Sequence, residues 1–238
     1  MSVSLDQVVW AFDFSRIETV GGVRYLIDGG PSGFHFAFPG GANDPTPRTD
    51  GGLQFDGGDW LDLPAAQMAR FYTALPTGAC TFLFSGLRTD PVAAAVLFST
   101  DNNGAGGVWR GLFLQTFVAG ETQIRQGQGG AALPSITIAT ARLPGRKIML
   151  SGTCETTPRA LVDQSTVASA WTVGAFGVCN YDTAIVPCIG ARPGHVSGLW
   201  TGPIYYLALL KGVVSSADLS ALSAQIANGG KPFCWRQT

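Results

Sequence analysis

The stretch Gly52-Leu53-Gln54-Phe55-Asp56-Gly57-Gly58-Asp59-Trp60-Leu61-Asp62-Leu63 decides how the chain is read. On both sides of Asp56-Gly57-Gly58-Asp59, apolar and polar residues alternate at period two. That is the period of a strand with one face buried, and an Asp/Gly cluster between two such runs is a turn. Outward from it the same grammar repeats. Val8-Val9-Trp10-Ala11-Phe12-Asp13-Phe14 is aromatic and β-branched, and further short apolar runs occupy residues 80–87, 94–99, 109–117, 122–125, 135–139, 147–153, 159–162, 184–189 and 203–210. Gly-, Pro-, Asn- and Asp-rich connectors separate them. Many short strands with frequent turn signals predict an all-β sandwich or barrel rather than βαβ units. A single helix is predicted near the end. Ser215-Ser216 supplies its N-cap, Leu219, Leu222 and Ile226 its buried stripe, and Asn228-Gly229-Gly230 its stop. Residues 65–74 read as a helical turn or a loop. No composition break divides the chain, which reads as one domain over 1–238 with a core from about 8 to 229 and a short tail, 230–238.

Composition narrows the function. Of 238 residues, 15 are basic and 16 acidic, so the net charge is −1, and charged residues make up 13%, about half the usual share. That balance supplies no electrostatic drive toward nucleic acid or an anionic membrane. Uninterrupted apolar stretches such as 91–98 and 204–210 fall far short of the ~20 residues of a membrane span. With 46% apolar residues the chain builds a core rather than staying disordered. Glycine, at 32 residues, is roughly twice as frequent as usual, which suits a fold made of tight turns. No secretory signal is visible at Met1-Ser2-Val3-Ser4-Leu5. Cys80, Cys154, Cys179, Cys188 and Cys234 contain no Cys-x-x-Cys pair and read mostly as small buried hydrophobes, with a Cys179–Cys188 bridge as the alternative.

The segments resemble the concanavalin A-like jelly roll, specifically its laminin-G-like and pentraxin-like branch. The resemblance rests on Phe12-Asp13 and Asp28-Gly29-Gly30-Pro31-Ser32-Gly33, then on residues 52–61, and on Cys80-Thr81-Phe82-Leu83-Phe84. Toward the end it rests on Ile189-Gly190, Gly202-Pro203-Ile204-Tyr205-Tyr206-Leu207 and Val214-Ser215-Ser216-Ala217-Asp218-Leu219. It implies a two-sheet antiparallel jelly-roll sandwich with one short C-terminal helix. Leu53, Phe55, Trp60, Leu61 and Ile204 are its inward positions. The fold hosts lectins, glycosidases and passive structural modules alike, so function has to come from a site.

Catalytic patterns are missing from the sequence. The β-glucan-cleaving enzymes of this superfamily carry Glu-x-Asp-x-x-Glu on one strand, where alternation aligns a general acid with a nucleophile. Here Glu18, Glu121 and Glu155 are scattered, His35 and His195 are the two histidines, and neither a Gly-x-Ser-x-Gly elbow nor a P-loop occurs. The chain is therefore expected not to be an enzyme. Calcium is the one cofactor weighed, with Asp56, Asp59 and Asp101 as candidate ligands and Asp62 in the same acidic stretch as the first two, although their spacing matches no self-contained calcium loop and turn-capping explains them equally. Carbohydrate binding calls for an aromatic ring against sugar C–H groups with Asn, Asp or Arg on the hydroxyls. Two clusters offer this. One is Trp109 and Arg110 beside Asn102 and Asn103; the other is Trp200 with Arg192 and His195. Trp200, flanked by glycine-rich turns, is the ring expected to stand exposed. Trp109 reads first as a buried sandwich tryptophan, Trp10, Trp60 and Trp171 as core, and Trp235 as an anchor for the tail or a contact to a partner.

The leading expectation is a non-enzymatic virion component of the bacteriophage head-decoration or tail-fibre class. Its jelly roll would dock on protein partners, in a homo-oligomer or on capsid or tail proteins, and touch host-surface glycans. The sparse surface charge suits a surface that is covered on assembly. It would be made in the cytoplasm and end in the virion, or else stay cytoplasmic. The alternative is a stand-alone carbohydrate-binding lectin, and a glycoside hydrolase is the weakest reading.

Overall fold

The computed structural model describes residues 3–87, 89, 94–102, 104–116, 121–131, 135–139, 148–154, 160–162, 165–166, 170–173, 177–195 and 197–234. Every strand pairing among them is antiparallel. The pairings define two layers. In the first, the closing strand Thr201–Lys211 lies between Cys80–Gly86 on one side and, on the other, the opening strand Val8–Val20 and the shorter Leu53–Asp56. Ile148–Cys154 extends this layer beyond Cys80–Gly86. The second layer runs from His35–Ala37 through Leu61–Asp62, Cys188–Ile189, Ala95–Ser99, Trp109–Thr116 and Glu121–Gly130 to Ser135–Ala139 and Ala170–Val173. The strand Val23–Asp28 pairs with the opening strand and with His35–Ala37, and so joins the layers. This is the β-sandwich jelly roll expected from the strand pattern.

Aromatic rings fill the space between the layers. Trp10 and Phe82 of the first layer meet Phe98 of the second, with ring centroids 5.1 and 6.3 Å apart. Each fully buried side chain of this size contributes on the order of 1.5–3 kcal/mol by leaving water. The closing strand is buried on both faces, which explains its unbroken apolar run. Ile204, Leu207 and Leu209 enter the inter-sheet core, while Tyr206, Ala208 and Leu210 face a second cluster with Leu219, Leu222 and Ile226. Those three lie on the helix Ser216–Ala227, which covers the outside of the first layer as its apolar spacing predicts. Its N-cap is Ser215, whose hydroxyl accepts from the Asp218 N–H at 3.1 Å.

One carboxylate organises the entry to the second layer. Asp28 is wholly buried, and its oxygens accept from the backbone N–H groups of Ala11 (2.8 Å), Gly30 (2.7 Å), Gly33 (2.9 Å) and Phe34 (3.4 Å). The Asp-Gly-Gly-Pro-Ser-Gly segment is thus a knot tying the second strand to the first.

Of the two readings of residues 65–74 the helical one holds: they form the 3-10 turn Ala65–Gln67 and the helix Met68–Ala74, which buries Phe71 and Tyr72. Other expectations are corrected. Of 184–189, the strand is Cys188–Ile189 alone. The hairpin that carries the opening strand to Val20 and returns through Val23–Asp28 was not anticipated. Cys80, Cys179, Cys188 and Cys234 are free, so Cys179 and Cys188 are not bridged. Asn103, Trp235 and the side chains of Trp171 and Cys154 lie outside the described residues. No helix among the described residues is long and apolar enough to cross a membrane.

Candidate functional site

Cys188–Ile189 lies between Leu61–Asp62 and Ala95–Ser99, so Cys188 is the register partner of both Asp62 and Ser99, and Ile189 of Leu61 and Phe98. Strand side chains alternate between faces. Leu61, Ile189 and Phe98 belong to the inter-sheet core, which sends Asp62, Cys188 and Ser99 to the outer face of the second layer. The following segment folds back over that face. Arg192-Pro193-Gly194-His195 makes a tight turn closed by the His195 N–H to the Arg192 carbonyl at 2.9 Å. Proline presets the first corner, and Gly194 supplies the positive φ (84°) of the second.

The turn delivers two side chains. His195 Nε2 lies 2.8 Å from Asp62 Oδ1, and its ring stacks on Trp60, with centroids 4.2 Å apart and planes 12° from parallel. Arg192 donates to Asp101 Oδ2 at 2.9 Å. Its guanidinium carbon sits 5.9 and 5.5 Å from the ring centroids of Trp109 and Phe113, within cation–π range. Arg125 stands 5.5 Å from the same Phe113, and burial together with the charge of Arg192 lowers its pKa. Arg110 pairs loosely with Asp182 at 3.9 Å. Between these groups opens a cavity of about 440 Å³, lined by Asp62, Asp101, His195 and an apolar wall including Ile185, Val186 and Pro193. Asp101 is 1% exposed and committed to Arg192, whereas Asp62 and His195, at 31% and 25%, are the polar groups a solute reaches.

The two sequence clusters therefore converge on one end of the sandwich, with exceptions. Trp200 is a correction. It is 1% exposed, lies in the core and packs edge-to-face on Phe84 at 5.9 Å, so it offers no ring to a ligand. Its parity explains this: Trp200 and Gly202 precede Ile204 at period two, on the strand face that enters the core. The converse error concerns Trp60, which is half-buried rather than core because its neighbour Leu61 takes the inward position. Trp109 is likewise half-buried, its ring lying over Gly104. The side-chain amide of Asn102 is spent within its own loop. It donates to the Val108 carbonyl and accepts from the N–H groups of Gly104 and Arg110, so it holds the loop while also lining the cavity.

Asp56, Asp59 and Asp101 are not brought together as calcium ligands. Asp59 Oδ2 accepts from the Asp56 N–H (2.7 Å) and Asp56 Oδ1 from the Gly58 N–H (2.8 Å), the work of a turn. Burial, with Asp56 and Asp44 nearby, raises Asp59 to about 6. Sequence reasoning missed Trp60, Asp62 and Cys188 as a group. The Pro193-Gly194 turn was the one local signal that His195 would be folded back.

No protein-family model matches the chain, and no curated protein matches it. Solved structures do. The CBM40 module of the Ruminococcus gnavus IT-sialidase, bound to alpha2,3 sialyllactose, is similar with a TM-score of 0.57 and 17% identity over 72% of this chain and 95% of that one. A botulinum neurotoxin type C structure, whose cell entry depends on interaction with two ganglioside molecules, gives 0.63 at 10% identity over 93% of this chain and 52% of that one. Trypanosoma rangeli sialidase gives 0.56 at 14% identity, over 94% of this chain and 33% of that one. At these identities the likeness is one of fold: a β-sandwich of the lectin-like kind.

Proposed function

We propose that the chain is a single-domain, non-enzymatic, lectin-like glycan-binding module whose ligand enters the cavity between Asp62, His195 and the Ile185–Val186 wall. The observation that carries the reading is the Asp62–His195 pair lining that cavity, with Trp60 stacked behind the imidazole. It offers a fixed carboxylate and an imidazole to vicinal hydroxyls beside an apolar wall for sugar C–H groups. The buried ion pair Arg192–Asp101 is internally compensated, and Asp62 is the half-buried acceptor lining the cavity, which favours a neutral sugar over one bearing a carboxylate. The carbohydrate-binding module among the similar folds supports the class, and the motif over residues 52–61 supports its laminin-G-like branch.

Glycan-array screening followed by calorimetry tests this. Saturable binding of neutral oligosaccharides is expected, weakened ten-fold or more by Asp62→Ala or Trp60→Ala with little change in melting temperature. Silence across the array, or binding indifferent to both substitutions, overturns it.

The sparse surface charge favours a second reading, in which the module sits in a larger protein assembly such as a phage head or tail. High-order association in sedimentation or electron microscopy would support it; a stable monomer at high concentration would count against it.

A further inference from the structure

Asp62 and His195, which line the cavity, belong to a second cluster. Cys188 is fully buried, and its thiol donates to the Ala191 carbonyl at 3.0 Å. The sulfur of Cys188, a carboxylate oxygen of Asp62 and an imidazole nitrogen of His195 all lie within 4.8 Å of one another, the grouping of metal-ligating atoms found among the described residues. Two come from adjacent strands in register, and the third is delivered by the Arg192–His195 turn.

His195 is held there at a cost. With Phe233 it is one of two non-glycine residues of the described chain at positive φ, 56°. A side chain in that region is uncommon and persists where surrounding structure imposes it, often at functional sites. Trp60 stacked on one ring face and Asp62 at Nε2 impose it here.

We propose that Cys188, Asp62 and His195 bind a divalent ion of the zinc class, with the fourth coordination position open to the cavity. Ligand chemistry selects the ion. A thiolate with an imidazole suits borderline-soft zinc or cobalt, whereas calcium takes six to eight oxygens, which this cluster does not offer. Geometry permits it: with metal–ligand bonds of about 2.0–2.3 Å, tetrahedral donors stand roughly 3.3–3.6 Å apart, so the sulfur, within 4.8 Å of the other two atoms, closes by at most about 1.2–1.5 Å, while the His195 and Asp62 atoms, 2.8 Å apart, open by about half an ångström. Charge permits it too, since one thiolate and one carboxylate neutralise a divalent ion while the imidazole stays neutral. Binding replaces the S–H bond of Cys188 with a sulfur–metal bond, breaks its contact to the Ala191 carbonyl and the Asp62–His195 hydrogen bond, leaves the neutral imidazole its one proton on Nδ1, and releases the thiol proton to water. The exposure of Asp62 and His195 to the cavity leaves the last position for water or a ligand oxygen.

This site does not depend on the glycan reading, because its occupancy is measured without sugar. Protein stripped with a chelator and titrated with Co(II) should show a sulfur-to-cobalt charge-transfer band in the near ultraviolet and the visible bands of tetrahedral cobalt. They should saturate at one equivalent and vanish when Zn(II) is added; zinc alone should raise the melting temperature. Cys188→Ser should abolish the charge-transfer band. His195→Gln, at a partly exposed position where the fold is kept, should weaken zinc binding ten-fold or more. The proposal is overturned by folded protein that shows no such band and no zinc-dependent stabilisation. A band that survives Cys188→Ser, arising then from Cys80, Cys179 or Cys234, overturns it equally, as does zinc affinity unchanged by His195→Gln.

Discussion

Two carboxylates, Asp28 and Asp62, lie near the opposite edges of one short loop-and-strand run, and their partners differ in kind. The oxygens of Asp28 accept from four backbone N–H groups, and nothing of the side chain reaches solvent. Asp62 meets one side chain, His195, and a third of it faces a cavity. A carboxylate saturated by main chain can only hold the chain. One satisfied by another side chain at a cavity wall retains lone pairs for something else. The local sequence does not separate these roles, because the number and type of partners are set by register and turns.

The sharpest way to break this contrast is Asp28→Ala. It strands buried N–H groups and should lower stability by about 3 kcal/mol or more, read as a drop in the denaturant midpoint at unchanged slope. Asp62→Ala should leave that midpoint nearly where it was and act on binding instead. Equal losses from both would erase the distinction.

Arg192→Met comes next in size. It removes the Arg192 guanidinium from Asp101, 1% exposed, whose charge then rests on Arg125, and should cost about 2–3 kcal/mol, less than an uncompensated buried charge. Adding Asp101→Asn should recover part of it, a coupling measurable by a double-mutant cycle. Independent effects would mean that the pair is not what holds the cavity wall.

The smallest effect concerns Asp59, a carboxylate between the two types. Its folded pKa, about 6, lies above the ordinary carboxylate range, so the native state binds the proton more tightly than the unfolded chain. The resulting stabilisation is present below that range and is lost as pH rises through 6. Asp59→Asn should flatten this decline, seen as a smaller difference between melting temperatures at pH 4.5 and 7.5. An unchanged difference would show that Asp59 does not titrate there.

Much of the fold was legible in the sequence because alternation is a local property. The core positions Leu53, Phe55, Leu61 and Ile204 and the helix stripe Leu219, Leu222 and Ile226 need only a period and a turn signal to be read. The exchange between Trp60 and Trp200 shows where locality helps if parity is followed strictly: Leu61 claims the inward face beside Trp60, and Ile204 carries Trp200 inward two steps away. The site was less legible. That Cys188 pairs with Asp62 is a fact of register between distant strands, and that Arg192 reaches Asp101 depends on which way a Pro-Gly turn folds. Spacing within one segment carries neither. The hairpin Val8–Val20 with Val23–Asp28 was missed for another reason: residues 15–24 mix charge with apolar side chains and end up largely outside the core, so no burial pattern marks them.

The closing strand carries a kinetic consequence. Thr201–Lys211 completes the first layer by slotting between Cys80–Gly86 and the opening strand, segments synthesised long before it. Loop closure over the whole stretch from Gly86 to Thr201 precedes any reward from these contacts, which is the arrangement that makes sandwiches slow to fold. Until that strand arrives, the edges of Val8–Val20 and Cys80–Gly86 stand unpaired and apolar on a ribosome-bound chain. Slower refolding than that of a helical chain of this length, with aggregation when refolding is started at high protein concentration, is the expected outcome of this topology.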